Sequence, residues 1–271
     1  DLSINSHQQQ TILFASSSYM LLNNAQLLFH RTWLVRASLL FTLFLIFGLS
    51  QQAFSTEKIT LQLRWHHQAQ FIGYYIAKSK GFYDEAGLDV FIKAGGPGIV
   101  PWQEVLNGRA DYAVENSNAL TAFMYGEPIT ALAAIYQHSP SAFLTKQSSG
   151  IRHPKDLARK RVMIFPGGQD PELMLLLQQQ GLTKYDLDLI ATSTDLNDLI
   201  NDEVDAFNAY VSNEPYALEQ LNIPYYLIKP SDYGIDFYSD ILITSKNTIT
   251  NKQARTDQFI SASLKGWQYA L

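Results

Sequence analysis

Aromatic rings and carboxylates stand at the ends of apolar runs in this chain, and they are its main chemical equipment. Trp65 follows the run Ile59–Arg64, and Tyr74 comes early in the helical stretch after it. Tyr210 ends a second run, and Tyr238 precedes a third. Rings so placed can stack on a flat ligand, each pair adding about 0.5–1.5 kcal/mol beyond area burial. The competing reading is ordinary core. Glu115 follows Asp111–Val114, Glu214 lies just past Tyr210 and Asn213, and Asp240 sits near a chain crossing. Carboxylates accept from the N–H groups of an amine or an amino-substituted ring. Glu214 can also serve a helix dipole, and Asp240 a hinge contact. Gln70, Asn116 and Gln137 are further polar candidates. Pro166-Gly167-Gly168-Gln169-Asp170 joins a strand pattern to a helix pattern. Its backbone N–H groups, at Gly168 and Gln169, can hold a polar or anionic group, while Asp170 can cap the helix.

Other chemistries lack their residues. There are no cysteines, so disulfides, zinc–thiolate sites, iron–sulfur clusters and cysteine nucleophiles are excluded. No nucleophile elbow, P-loop or H-E-x-x-H motif occurs. His66 and His67 are adjacent, and neighbours on a strand point to opposite faces, so no metal site is expected. Gly95-Gly96-Pro97-Gly98 lacks the Lys and Ser/Thr of a phosphate loop and reads as a turn. A net charge of −5 without a basic cluster argues against nucleic acid as partner.

Short β-rich runs alternate with helical stretches, which predicts an α/β fold with largely parallel sheets. Strands are expected at Ile59–Arg64, Leu88–Lys93, Asp111–Val114, Ile129–Tyr136, Ala142–Thr145, Arg161–Phe165, Leu187–Ala191, Asp205–Tyr210, Tyr225–Ile228 and Ser239–Thr244. A boundary near residue 146 and a second crossing near Ile235–Asp240 divide the chain into two units with a cleft between them. Ligands in such folds bind beyond the carboxyl ends of the strands. Asn251 opens a last helix, with Phe259, Ile260, Ser263, Leu264 and Trp267 on one face. It carries no stop signal, and the natural protein is expected to continue past it.

Arg31 and Arg36 precede the apolar run Ala37–Leu49, and Ala53 and Ser55 supply the small residues of a cleavage site. This reads as an upstream segment and signal peptide over residues 1–55, with export and a folded unit from Thr56. An uncleaved anchor is the alternative.

Several segments together carry a resemblance. Residues 61–115 read LQLRWHHQAQFIGYYIAKSKGFYDEAGLDVFIKAGGPGIVPWQEVLNGRADYAVE. Later come AIYQHSP (134–140), SGIRHPKDLARKRVMIFPGG (149–168), YVSNEPYAL (210–218) and DYGIDFYSDILITSK (232–246). The set resembles the solute-binding proteins related to the thiamine-pyrimidine-precursor synthase and to alkanesulfonate-binding proteins. The resemblance implies a two-lobed type 2 periplasmic-binding-protein fold, each lobe a mainly parallel sheet flanked by helices. Lobe one would hold residues 56–145 plus 238–271, its C-terminal part missing, and lobe two residues 146–237. The implied function is binding of a thiamine-precursor pyrimidine or similar ligand. Its partners would be the membrane subunits of an import transporter or a C-terminal signalling output domain. A degenerate synthase is the alternative. By alignment the synthase's cofactor lysine falls at Glu115 and its histidine at Ala119, so the chain is expected not to be an enzyme and to need no cofactor.

Overall fold

The computed structural model describes residues 56–165 and 170–271. The expected signal segment lies outside the described residues. Thr56–Leu271 forms a single unit.

Strand β1 (Glu57–Gln62) leads through helices α1 (Ile72–Ser79) and α2 (Phe82–Glu85) to β2 (Leu88–Lys93). Leu88, Val90 and Ile92 of β2 are buried while Asp89 and Phe91 are exposed, the period-two pattern of a strand with one face covered. Helix α3 (Pro101–Leu106) begins at proline, whose missing N–H costs nothing in a first turn. Next come β3 (Tyr112–Glu115), α4 (Asn118–Met124) and β4 (Ile129–Tyr136). The chain then crosses to β5 (Ser141–Lys146), β6 (Arg161–Ile164), α5 (Pro171–Gln179) and β7 (Asp188–Ala191). Helix α6 (Asn197–Ile200), β8 (Phe207–Tyr210), α7 (Glu214–Gln220) and β9 (Tyr225–Ile228) follow. A second crossing returns the chain to β10 (Ser239–Ser245), α8 (Lys246–Asn251) and α9 (Gln253–Ala270).

The first sheet has the order β2-β1-β3-β10-β4. In the second group β8-β5-β9 and β6-β7 are ladders, and a Val162–Ala206 bridge joins β6 to the start of β8. Parallel pairing holds β1 to β2, β1 to β3, and β6 to β7. Every antiparallel ladder involves β5 or β10, the two strands that follow a crossing. Each sheet buries apolar side chains on both faces. On the first, α1, α2 and α9 cover one face and α3 and α4 the other. This is the expected two-lobed type 2 fold.

Three details differ from the sequence reading. The sheets are mixed and not mainly parallel, with four antiparallel ladders against three parallel ones among the described residues, because β5 and β10 enter their sheets from the other lobe. Ser141–Lys146 pairs with β8 and β9, so the chain has already left the first sheet at residue 141, before the expected boundary at 146. Alternation alone cannot show which sheet a strand joins. The last helix buries Thr256, Phe259, Ala262, Ser263 and Gly266, while Leu264 is 37% exposed. The buried stripe follows small residues because α9 crosses α1 closely. A Cβ on Gly266 would lie 2.1 Å from the Gly73 carbonyl oxygen. Phe259 stacks on Tyr112 and Tyr83, with ring centroids 4.1 and 5.6 Å apart.

Candidate functional site

Beyond the end of β1, Leu63 still bonds to Lys93, and Arg64 and Trp65 project past the sheet. The turn after β2 fixes them there. Gly95 donates to the Trp65 carbonyl at 2.8 Å. A Cβ on Gly95 would stand 2.3 Å from the Leu63 oxygen and 2.5 Å from the Arg64 carbonyl carbon. Only glycine allows this approach, so the Gly95–Gly98 turn is a structural brace for Arg64 and Trp65.

These two side chains meet the strand ends of the second lobe. Trp65 packs edge-on against Phe165, centroids 4.9 Å apart. The Arg64 guanidinium lies 4.9 Å from the Tyr210 ring and 5.8 Å from the Phe165 ring. Gln70 donates to Asp240 at 3.2 Å and accepts from Asn213 at 2.9 Å, which ties the first lobe to the second. Tyr210 and Ser239 share a hydroxyl hydrogen bond of 2.9 Å. Ser117 and Ser139 both donate to Glu172 on α5. A cavity of about 40 Å³ lies among these groups, lined by Arg64, Trp65, Gln70, Ser141, Phe165, Asp170, Asn208, Tyr210, Asn213 and Glu214. That volume suits a few water-sized molecules and no aromatic ring, so a ring enters only if the lobes part.

The charge around the cavity is lopsided. Burial pushes Glu115 and Asp170 up to about 7 and Asp240 to about 6, against the pull of Arg64. Burial also raises Glu214. For Arg64, burial opposes the charge, but Tyr210, Asp240, Asp170 and Glu115 together hold the guanidinium above its ordinary value. Asp240 has a backbone φ of 44°, a left-handed conformation uncommon outside glycine, so the strand is strained at this carboxylate.

Five buried polar atoms here have no hydrogen-bond partner among the described residues: Arg64 Nε, Glu115 Oε2, Ser141 Oγ, Asn208 Oδ1 and Asp240 Oδ1. Each such atom costs about 1–3 kcal/mol if it stays unsatisfied.

Of the residues singled out from sequence, Trp65, Gln70, Tyr210, Asn213 and Glu214 line the cavity. Glu115 and Asp240 are buried beside Arg64 without lining it. Asn116 is buried, its side-chain oxygen accepting from the Asn118 N–H. Three candidates lie away from the cavity. Tyr74 is wholly buried inside lobe one against Trp267, because the first turn of α1 faces the sheet. Gln137 is exposed and bonds back to the Ala134 carbonyl. Tyr238 is 57% exposed and lines a separate apolar groove with Phe123 and Phe237. Gly168 and Gln169 lie outside the described residues. Asp170 stands at the start of α5 without capping it and accepts instead from the Phe165 N–H at 3.1 Å. Glu214 likewise accepts from the Tyr210 N–H at 2.8 Å.

Sequence reasoning passed over Arg64, Ser141, Phe165 and Asn208. The signal for Arg64 was a cation at the end of the alternating apolar–polar run Ile59–Arg64. For Asn208 it was an amide inside the fully buried strand Phe207–Tyr210. Among the described residues, no group of three or more His, Cys, Asp or Glu side chains could hold a metal ion.

Two α/β lobes, two crossings and a polar cavity at the strand ends define a periplasmic-binding-protein fold. Residues 68–271 match the family described as NMT1/THI5 like, and the chain belongs to that family. A putative thiamine biosynthesis protein of Haemophilus influenzae is 25% identical over 82% of this chain and 71% of its own length. The riboflavin-binding protein RibY of Chloroflexus aurantiacus is 23% identical over 78% of this chain and 61% of its own. A formylaminopyrimidine-binding protein of Halalkalibacterium halodurans is 22% identical over 79% of this chain and 66% of its own. The chain therefore spans roughly two thirds of these relatives' length. Synthases of 4-amino-5-hydroxymethyl-2-methylpyrimidine phosphate also match, that of Schizosaccharomyces pombe at 25% identity over 56% of this chain and one of Saccharomyces cerevisiae at 30% over 36%. Among solved structures, the periplasmic aliphatic sulphonate-binding protein SsuA of Escherichia coli superposes with a TM-score of 0.60 at 15% identity, over 78% of this chain and 72% of that one.

Proposed function

We propose that this chain is the ligand-binding module of an exported solute-binding protein, which closes two lobes on a small planar, nitrogen-containing molecule. A thiamine-precursor pyrimidine is the leading candidate, and an import transporter is the recipient. The observation that carries this reading is the set of three unsatisfied buried polar atoms on residues that line the interlobe cavity, Arg64 Nε, Ser141 Oγ and Asn208 Oδ1. Such groups are rare in finished cores, and a ligand that pairs with them repays their burial. Lobe one is assigned residues from Thr56 to the first crossing and again from Ser239. Lobe two runs from Ser141 to the second crossing. The ligand site is assigned to Trp65, Gln70, Tyr210, Asn213 and Glu214, joined by Arg64, Ser141 and Asn208. Relatives named for riboflavin and for formylaminopyrimidine binding support a flat nitrogen ring as the ligand class. Binding rather than synthesis is supported by Glu115 and Ala119, since neither offers the amine or imidazole that the synthase chemistry requires. Among the described residues, no helix is long and apolar enough to cross a membrane.

Calorimetric titration with 4-amino-5-hydroxymethyl-2-methylpyrimidine tests the proposal, using the native chain and Ser141→Ala. The native chain should bind. Ser141→Ala should bind about tenfold more weakly, while its ligand-free melting temperature stays level or rises, because an unsatisfied hydroxyl has gone. A variant that loses stability and keeps its affinity would make Ser141 structural. No binding at millimolar concentration would remove the pyrimidine.

A further inference from the structure

The unsatisfied atoms also specify what a ligand must bring. Of the three on residues that line the cavity, Asn208 Oδ1 is an acceptor. One is a donor, Arg64 Nε, and Ser141 Oγ can be either. A complement to this set carries at least one N–H group and one acceptor.

Charge points the same way. Among the described residues lining the cavity, Arg64 is the only cation, while Asp170 and Glu214 stand on the wall. Glu115 and Asp240 add two more carboxylates within the electrostatic reach of Arg64. Glu172, fully buried and held by Ser117 and Ser139, lies near Asp170. An anion aimed at the start of α5 would meet the Asp170 carboxylate, which already accepts the Phe165 N–H. An anion aimed at Arg64 would enter the field of the acids that surround it.

Resting on the proposed binding function, we infer that the cleft selects a neutral or cationic, N–H-bearing heterocycle with one acceptor for Arg64, and rejects molecules bearing phosphate or sulfonate. Arg64 is then an internal counter-ion to the acids and a donor to one ring atom, not a receptor for anions. This separates the chain from sulphonate-binding proteins that share its fold. The raised proton affinity of Asp170 on the cavity wall agrees: an N–H donor can take the place of a bound proton, and an added anion cannot.

Paired probes decide it by calorimetry at pH 7.5. The pairs are the hydroxymethyl aminopyrimidine and its monophosphate, thiamine and its monophosphate, and riboflavin and its 5′-phosphate, with ethanesulfonate as a lone anion. At least one uncharged or cationic member should bind, with its phosphorylated form at least about 100-fold weaker and the sulfonate silent. In Asp170→Asn or Glu214→Gln, whichever retains the native fold by circular dichroism, the gap should narrow by about tenfold. Equal or tighter binding of a phosphate or of the sulfonate overturns this inference and leaves the binding function standing. An unchanged gap in the variant also overturns it, since charge would not be the cause. Silence from every probe sinks both the inference and the proposed function.

Discussion

Replacing Arg64 with methionine is expected to lower the melting temperature of the ligand-free protein by about 10 °C at pH 8 and by less than about 3 °C at pH 5. Methionine keeps most of the side-chain bulk and removes the cation. Arg64 draws down the proton affinity of Glu115, Asp170, Asp240 and Glu214. Without it these carboxylates are buried and uncompensated, a defect of about 3–5 kcal/mol when they ionise. The sign of the pH effect follows from linkage. Glu115 and Asp170 titrate at about 7 and Asp240 at about 6 in the folded protein, well above their unfolded values. Between pH 4 and 7, then, the folded state binds more protons than the unfolded state, and stability falls as pH rises. The native protein should itself melt higher at pH 5 than at pH 8, and the variant should widen that difference. Glu104 acts in the opposite direction, since Arg109 holds it at about 2, but its effect is confined to pH below about 4.5. Thermal melts across pH 5–8 test this. An equal loss at every pH would mean that Arg64 matters for packing and not for charge.

Gly95→Ala should cost about 3 kcal/mol and abolish ligand binding together. The new Cβ would press on backbone atoms of Leu63 and Arg64 at 2.3–2.7 Å, and backbone cannot rotate away as a side chain can. Relief requires moving the end of β1, which carries Arg64 and Trp65 off the second lobe. Gly98→Ala is the control. Gly98 has a φ of 79° and nothing within 4 Å, so alanine there brings only backbone strain of about 1 kcal/mol and leaves Arg64 in place. Melting curves and titration of both variants separate the cases. A Gly95→Ala protein that binds normally would remove the turn from the account of the site.

The sequence made much of the scaffold legible because strand periodicity is local. Leu88–Lys93, Ile129–Tyr136 and Tyr225–Ile228 form strands over the bounds their patterns predict. Partnership between strands is not local, and so β5 was placed with the wrong sheet. The site was legible only where a residue type announced itself at a strand end, as Trp65 and Tyr210 did. Tyr74 carried the same aromatic signal, but its direction depends on the helix face that packs on the sheet. Arg64 went unread because its meaning comes from acids brought to it by β3, α5 and β10, far apart in sequence. The unsatisfied atoms of Ser141 and Asn208 are properties of the folded surroundings and leave no mark in the residue order.

The proposed ligand site lies where Arg64 and Trp65 of one lobe meet Phe165 and Tyr210 of the other. A backbone amide titration by nuclear magnetic resonance, with the tightest-binding uncharged probe, tests it directly. The largest shifts are expected at residues 64–70, 141, 165 and 208–214, on both lobes at once. Shifts confined to one lobe, or centred on the apolar groove of Phe123, Phe237 and Tyr238, would contradict it.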